Sequence, residues 1–207
     1  MKKLLIATLL LTQVNTALQA KAPKADKAAA TPATWTVDAS HSSVKFSVTH
    51  LTVSETEGLF KKFNGSIKSS SADFQGAAIN FNVDVNSINT DDEGRDKHLK
   101  SDDFFNAEKY PGMSFTSTSF KKVQGNNYVL EGNLTIRDVT KKVKFNVLYG
   151  GTVKDPWGNT KAGFKATSKI SRKAYGLKWG ALTEMGGAVV GDDVTIVLSL
   201  EFAQNKA

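Results

Sequence analysis

The chain contains no cysteine, which excludes disulfides, thiolate nucleophiles, Cys-bound zinc and iron–sulfur clusters. Its three histidines, His41, His50 and His98, show no short ligand spacing, so no metal site is expected. There is no G-x-S-x-G elbow, no phosphate loop and no dinucleotide fingerprint. Ser40, Ser42 and Ser43 flank His41, but adjacency in sequence is not triad geometry. These absences argue against an enzyme and against a resident cofactor. Long apolar runs are also scarce. One covers residues 4–11, broken by Thr8, and is too short to span a bilayer.

That run has a different meaning. Lys2 and Lys3 precede it, and Ala20 closes a small-residue stretch with Leu18 at the −3 position. This is the layout of a Sec-type export signal over residues 1–20, and the periplasm is the expected compartment. Residues 21–34 are all Ala, Lys, Pro, Asp and Thr, and read as a flexible tether before a domain over residues 35–207. Without Lys2 and Lys3 the balance is 25 basic against 20 acidic residues, a net charge of +5. The basic residues include the pairs Lys61-Lys62, Lys121-Lys122 and Lys141-Lys142 rather than a long tract. Such pairs suit solvated strand edges and transient contact with anionic membrane headgroups, not nucleic acid.

What the domain has in abundance is period-two alternation. Val44, Phe46 and Val48 alternate with polar residues. So do Ile79, Phe81, Val83 and Val85, then Met113 and Phe115. Val143, Phe145, Val147 and Tyr149 form another such run, and Val194, Ile196, Leu198, Leu200 and Phe202 the last. Each reads as a half-buried strand. Turn residues separate the runs, as in Asp155-Pro156-Trp157-Gly158-Asn159 and Gly191-Asp192-Asp193. The spacing predicts an all-β antiparallel meander, barrel or sandwich. Residues 89–105 break the period. Asn89 or Thr90 could cap a short helix ending near Lys100, with Asp91, Asp92 and Glu93 favoured by its dipole. Residues 58–65 fit neither period. Either a bulge shifts the pleat so that the aromatics Phe60 and Phe63 point into one cavity, or the strand is partly covered on both faces.

Phenylalanine is the compositional signal: 12 residues, against 3 Trp and 4 Tyr. A barrel of about eight strands has an interior that side chains just fill or that holds one ligand. A packed core, suited to a structural or stress-response module, and a lined cavity are therefore both open. His50 continues the inward parity of Val48 and belongs at a barrel mouth. Asp96 and His98 could form an acid–base pair acting on a lipid, although residues two apart on a helix point in different directions. The bland alternative docks the helix through Leu99 and bonds Arg95 and His98 to nearby loop groups.

Several segments together resemble the YceI family of periplasmic, polyisoprenoid-binding, lipocalin-like proteins. They are residues 41–51 (HSSVKFSVTHL), 58–65 (GLFKKFNG), 95–101 (RDKHLKS) and Asp103-Phe104-Phe105, then Tyr110-Pro111 with Phe115-Thr116-Ser117. Further on come Leu134-Thr135-Ile136, Val139-Thr140-Lys141, Asp155-Pro156-Trp157-Gly158 and Ala162-Gly163-Phe164. The resemblance spans residues 35–202. Two positions depart from it: Asp138 stands in place of the usual glycine, and Ala174 where many members have aspartate.

The resemblance implies an extended eight-stranded lipocalin-like β-barrel with one or two short helices. It also implies an apolar cavity for a polyisoprenoid or an isoprenoid quinone tail, without enzymatic activity. By analogy the wall comprises Phe46, Val48, Phe60, Phe63, Phe81, Val83, Phe104, Phe105, Phe115, Ile136, Phe145, Phe164 and Leu198, with His50, Arg95 and His98 at a polar mouth. A fatty acid or fatty amide is the alternative ligand. A second copy could cover an open barrel end as a homodimer.

Overall fold

The computed structural model describes residues 32–184 and 186–206, so the expected export signal and tether residues 21–31 lie outside it. The elements are β1 (Ala33–Val37), β2 (Ser43–His50), β3 (Ser54–Phe60), β4 (Phe63–Ser69), β5 (Ala78–Asp84) and β6 (Ile88–Asn89). Helix α1 (Glu93–Lys100) follows, then β7 (Gly112–Gln124), β8 (Asn127–Ile136), β9 (Val139–Lys154), β10 (Thr160–Ser171) and β11 (Val190–Gln204). All belong to one sheet in the order β1-β4-β5-β7-β8-β9-β10-β11-β2-β3-β6, and β1 also pairs with β11. The pairs β1/β2, β3/β4 and β5/β6 are halves of longer bent strands: β2 and β1 follow one another along the same edge of β11. Counted so, the sheet is a closed antiparallel barrel of eight strands. Closure on itself decides between the barrel and the sandwich.

The bends have local causes. Asp38 accepts from Ser40 N at 3.1 Å between β1 and β2, and Asp84 from Asn86 N at 2.9 Å between β5 and β6. An aspartate that takes up local amides lets the ladder break without orphaning donors. Between β3 and β4, Lys61 N donates to Ser87 O and Lys62 N to Ser87 Oγ. This interruption shifts the pleat, so Phe60 joins the interior cluster and Phe63, three residues on, packs against it. β1 starts at Ala33, inside the segment expected to be tether, because Trp35 is buried and its strand is paired on both sides.

Helix α1 begins later than the sequence suggests. Asp92 is its N-cap, accepting from Arg95 N at 2.8 Å. Asn89 is instead paired with Leu59, and Thr90 is bonded to Asp96. The β8–β9 hairpin turns on Arg137 and Asp138, and Arg137 has φ of 55°. Its guanidinium compensates by donating to the carbonyls of Asp102, Phe104 and Gly176. Asp138 accepts from Tyr110 Oη at 3.0 Å, so the departure from glycine is absorbed. Near Ala174, Asp192 supplies the carboxylate, accepting from Ser171 Oγ and Lys173 N.

One end of the barrel is plugged. Residues 70–77 carry Phe74, 1% exposed, between Trp35, Tyr149 and Phe164, at ring-centroid distances of 5.1, 5.6 and 5.2 Å. Phe74 has φ of 61°. A left-handed conformation costs a non-glycine roughly 1–2 kcal/mol, which burying a phenylalanine offsets at about 1.5–3 kcal/mol. The opposite end is covered only in part, by His50 at the end of β2, by Arg95, His98 and Leu99 of α1, and by Arg172, Leu177, Trp179 and Val189.

Candidate ligand-binding site

Between the plug and α1 the barrel is hollow, with a cavity of about 350 Å³. The wall stays thin because three rings lie along it. Phe46 lies over Gly58, Phe81 over Gly65 and Phe115 over Gly132, so that a methyl at any of these glycines would overlap the ring. A glycine under an aromatic ring lets the ring fold flat onto the neighbouring strand instead of filling the lumen.

Phe46, Val48, Phe60, Phe81, Val83, Phe104, Phe105, Phe115, Ile136, Phe145, Phe164 and Leu198 all line this space. Phe63 does not, contrary to expectation. Phe81 occupies the room over Gly65, and Phe63 stacks on Phe81 at 5.7 Å and 20° instead of reaching the lumen. Val194, Ile196 and Leu200 share the phase of Leu198 and extend the wall. The apolar floor near the plug is formed by Ile67, Phe120 and Phe202, each 2% exposed.

The polar residues His50, Arg95 and His98 line the opposite end, beside Thr90 and Arg172. Arg95 donates from Nε to Thr90 Oγ1 at 2.8 Å and from Nη2 to Thr90 O at 2.6 Å. His98 Nε2 lies 2.8 Å from Asp103 Oδ2, with its ring edge-on to Phe104 and Trp179. Asp96 is 8% exposed and accepts from Thr90 N at 2.9 Å and Thr90 Oγ1 at 2.6 Å. It is absent from the cavity wall. Asp96 and His98 therefore do not converge as an acid–base pair: their helical spacing aims one at Thr90 and the other at Asp103.

Arg172 is the site residue that sequence reasoning missed. It is 4% exposed and lines the cavity, with its guanidinium donating to the carbonyls of Gly191, Leu177, Trp179 and Val190. Burial pulls it below its ordinary pKa, opposed by the field of Asp192. It still carries its charge at neutral pH. Its partners lie up to 19 residues away, at Leu177 and Trp179 and at the start of β11, so no local pattern marks it.

Away from the cavity, Asp38, His41 and Glu201 lie close enough to suggest a cation site. Lys161 Nζ fills that role, 2.7 Å from Asp38 and 3.0 Å from Glu201. Hydrogen bonds from Lys161, then Ser40 and His41, hold the Asp38 carboxyl far below the usual range. The same contacts with Asp38 and Glu201 raise Lys161.

Comparison with known proteins agrees with this architecture. Protein YceI of Salmonella newport is 37% identical over 166 residues, 80% of this chain and 83% of its own. The crystal structure of Burkholderia cenocepacia BcnA superposes with a TM-score of 0.70 at 26% identity, over 80% of this chain and 98% of that one. A polyisoprenoid-binding domain from Saccharophagus degradans shares the fold, with a TM-score of 0.60 at 17% identity, over 83% of this chain and 98% of its own. The sequence model of the YceI-like domain matches residues 35–202, and the chain belongs to the YceI family.

Proposed function

We propose that the protein is a carrier that shelters one long apolar chain, a polyisoprenoid or the tail of an isoprenoid quinone, inside the barrel. The observation that carries this reading is the hollow itself: aliphatic and aromatic walls, a plug of Phe74 at one end and a partly covered mouth at the other. The polyisoprenoid-binding description of the Saccharophagus degradans domain, which shares the fold, supports it.

The energetics suit loading and release. Burying hydrocarbon from water gains about 0.8 kcal/mol per CH₂, so a long chain would exceed any workable affinity if water were the competitor. The competitor is the bilayer, which is as apolar as the lumen, and transfer between the two is near balance. Leu51, Val53 and Leu182, 39%, 83% and 74% exposed, belong to the segments around the mouth and suit transient contact with a membrane surface. A second copy seated on the same rim is the competing occupant, and sedimentation at rising concentration separates the two. The signal-like residues 1–20 support export to the periplasm.

Volume favours a second ligand class. A cavity of about 150 Å³ takes up benzene. By that scale this lumen of about 350 Å³ holds roughly a dozen carbons. A fatty acid or fatty amide fits that length. A longer isoprenoid has to spread the wall or trail from the mouth. Native mass spectrometry and organic extraction of the purified protein test the carrier reading. A stoichiometric single-chain lipid is expected, and Ile196→Trp, which fills the lumen, should lose it while still melting cooperatively. Persistent emptiness, with no uptake of quinone, polyprenol or fatty acid, would overturn the reading.

A further inference from the structure

The cavity is polar at one end only, and that polarity has one sign. No aspartate or glutamate lines it among the described residues. The buried carboxylate of α1, Asp96, accepts from Thr90, and Glu93 is exposed. Lys45 also borders the lumen, but it lies on β2 in alternation with Phe46; Arg95 is exposed like Lys45, whereas Arg172 is buried. The charges at the inner mouth are therefore those of Arg95 and Arg172. They flank a common aromatic wall. Trp179 O accepts from Arg172 Nη1 at 2.7 Å, and the Trp179 ring lies 5.2 Å from His98, which shares a helix face with Arg95. The Arg172 guanidinium also sits 5.9 Å from the Phe104 ring.

Neither guanidinium is saturated. All protein acceptors of Arg172 are neutral carbonyls, and they take four of its five N–H groups. Arg95 uses Nε and one Nη2 hydrogen on Thr90, and its Nη1 has no protein acceptor among the described residues. Arg172 is buried and bonded only to carbonyls, with the field of Asp192 as its counter-charge, and an anion adjacent to it stabilises it further.

We propose that this end of the cavity is a subsite for an anionic oxygen headgroup, carboxylate or phosphate, of a single-chain lipid. Arg95 and Arg172 bind the headgroup, and the tail points toward Phe120 and Phe202. The proposal rests on the carrier reading and names the chemical class of its ligand.

The test uses three probes of one chain length, tetradecanoate, tetradecyl phosphate and tetradecanol, each displacing a fluorescent chain lipid from the purified protein. At least one anion should displace the lipid at a tenfold lower concentration than the alcohol, and the ranking of the two anions identifies the headgroup. Arg95→Gln should weaken both anions more than the alcohol and so remove that preference, and Arg95→Lys should restore part of it. Arg172→Gln removes four carbonyl bonds and can fail to fold, so Arg172 is tested in the intact protein. The carboxyl of bound ¹³C-labelled tetradecanoate should remain ionised to a lower pH than that of the free lipid. Equal displacement by acid, phosphate and alcohol would overturn the headgroup subsite and leave the carrier reading standing. Failure of all three probes to displace the bound lipid would likewise overturn the subsite, whereas failure of the fluorescent lipid itself to bind would count against the carrier reading.

Discussion

Phe46, Phe81 and Phe115 belong to the residue scale because each ring position is set by a missing side chain on the next strand. A methyl at Gly65 would meet ring atoms of Phe81 at closest range and one at Gly58 would meet the Phe46 ring and the Thr90 methyl, whereas at Gly132 it would also strike the Thr116 carbonyl. Gly58→Ala and Gly65→Ala should swing a ring into the lumen. We expect reduced lipid uptake at a cost of about 1–3 kcal/mol, read by native mass spectrometry beside thermal melts. Unchanged lipid stoichiometry in both variants would show that the rings do not set the bore. Tyr175 poses a different residue-scale problem. Its hydroxyl is buried with no hydrogen-bond partner, and burial raises its pKa. Removing an unsatisfied polar atom relieves its desolvation penalty. Tyr175→Phe should be neutral or stabilising by about 1 kcal/mol, and a clear loss of stability in denaturant titration would reveal a partner for the hydroxyl.

At the scale of elements, bends and caps matter more than the strands. The bend between β1 and β2 rests on Asp38, whose carboxyl is held below its ordinary value by Lys161, Ser40 and His41. In the unfolded chain an aspartate titrates near about 3.9. Between that value and the lower folded one, the unfolded state binds more protons, so stability rises with pH there. The contribution of Asp38 is full above about pH 4 and fades as pH falls through the folded value. The melting deficit of Asp38→Asn should thus be largest near neutrality and shrink toward zero in acid. A deficit that stays constant across pH 2–7 would contradict this account. For α1, Asp92→Ala should cost about 1 kcal/mol. Because α1 carries Arg95 and His98, the same change should loosen the mouth, which hydrogen exchange over residues 93–101 would register.

On the scale of the whole molecule, the barrel closes without filling. A ligand that binds only the folded state stabilises it by about 2.7 kcal/mol at a hundred times its Kd. For a domain of this size that corresponds to roughly 5–10 °C in Tm. Organic extraction should lower the melting temperature of purified protein by about that amount, and adding back the bound lipid should restore it. Identical scans before and after extraction of a confirmed lipid would argue against binding in the lumen.

How much of this was readable in advance follows from the range of each interaction. Val44, Phe46 and Val48, or Val194 to Phe202, announce strands because a pleat has period two and each residue's face depends only on its neighbours. The inward phenylalanines follow from the same parity. Phe63 escapes it because Phe81, on another strand, already occupies the space over Gly65. The cap at Asp92 rather than Asn89 or Thr90 was hidden because those residues are claimed by β3 and Asp96.

Alternation and turn chemistry alone therefore determine an antiparallel sheet with an apolar inner face, since both are local properties of the chain. Whether that face closes on solid core or on space is a matter of tertiary structure, as is the gathering of Arg95 and Arg172 at one end. Both depend on which distant residues meet across the barrel: rings on glycines, and a guanidinium on carbonyls drawn from residues 177 and 179 and from the start of β11.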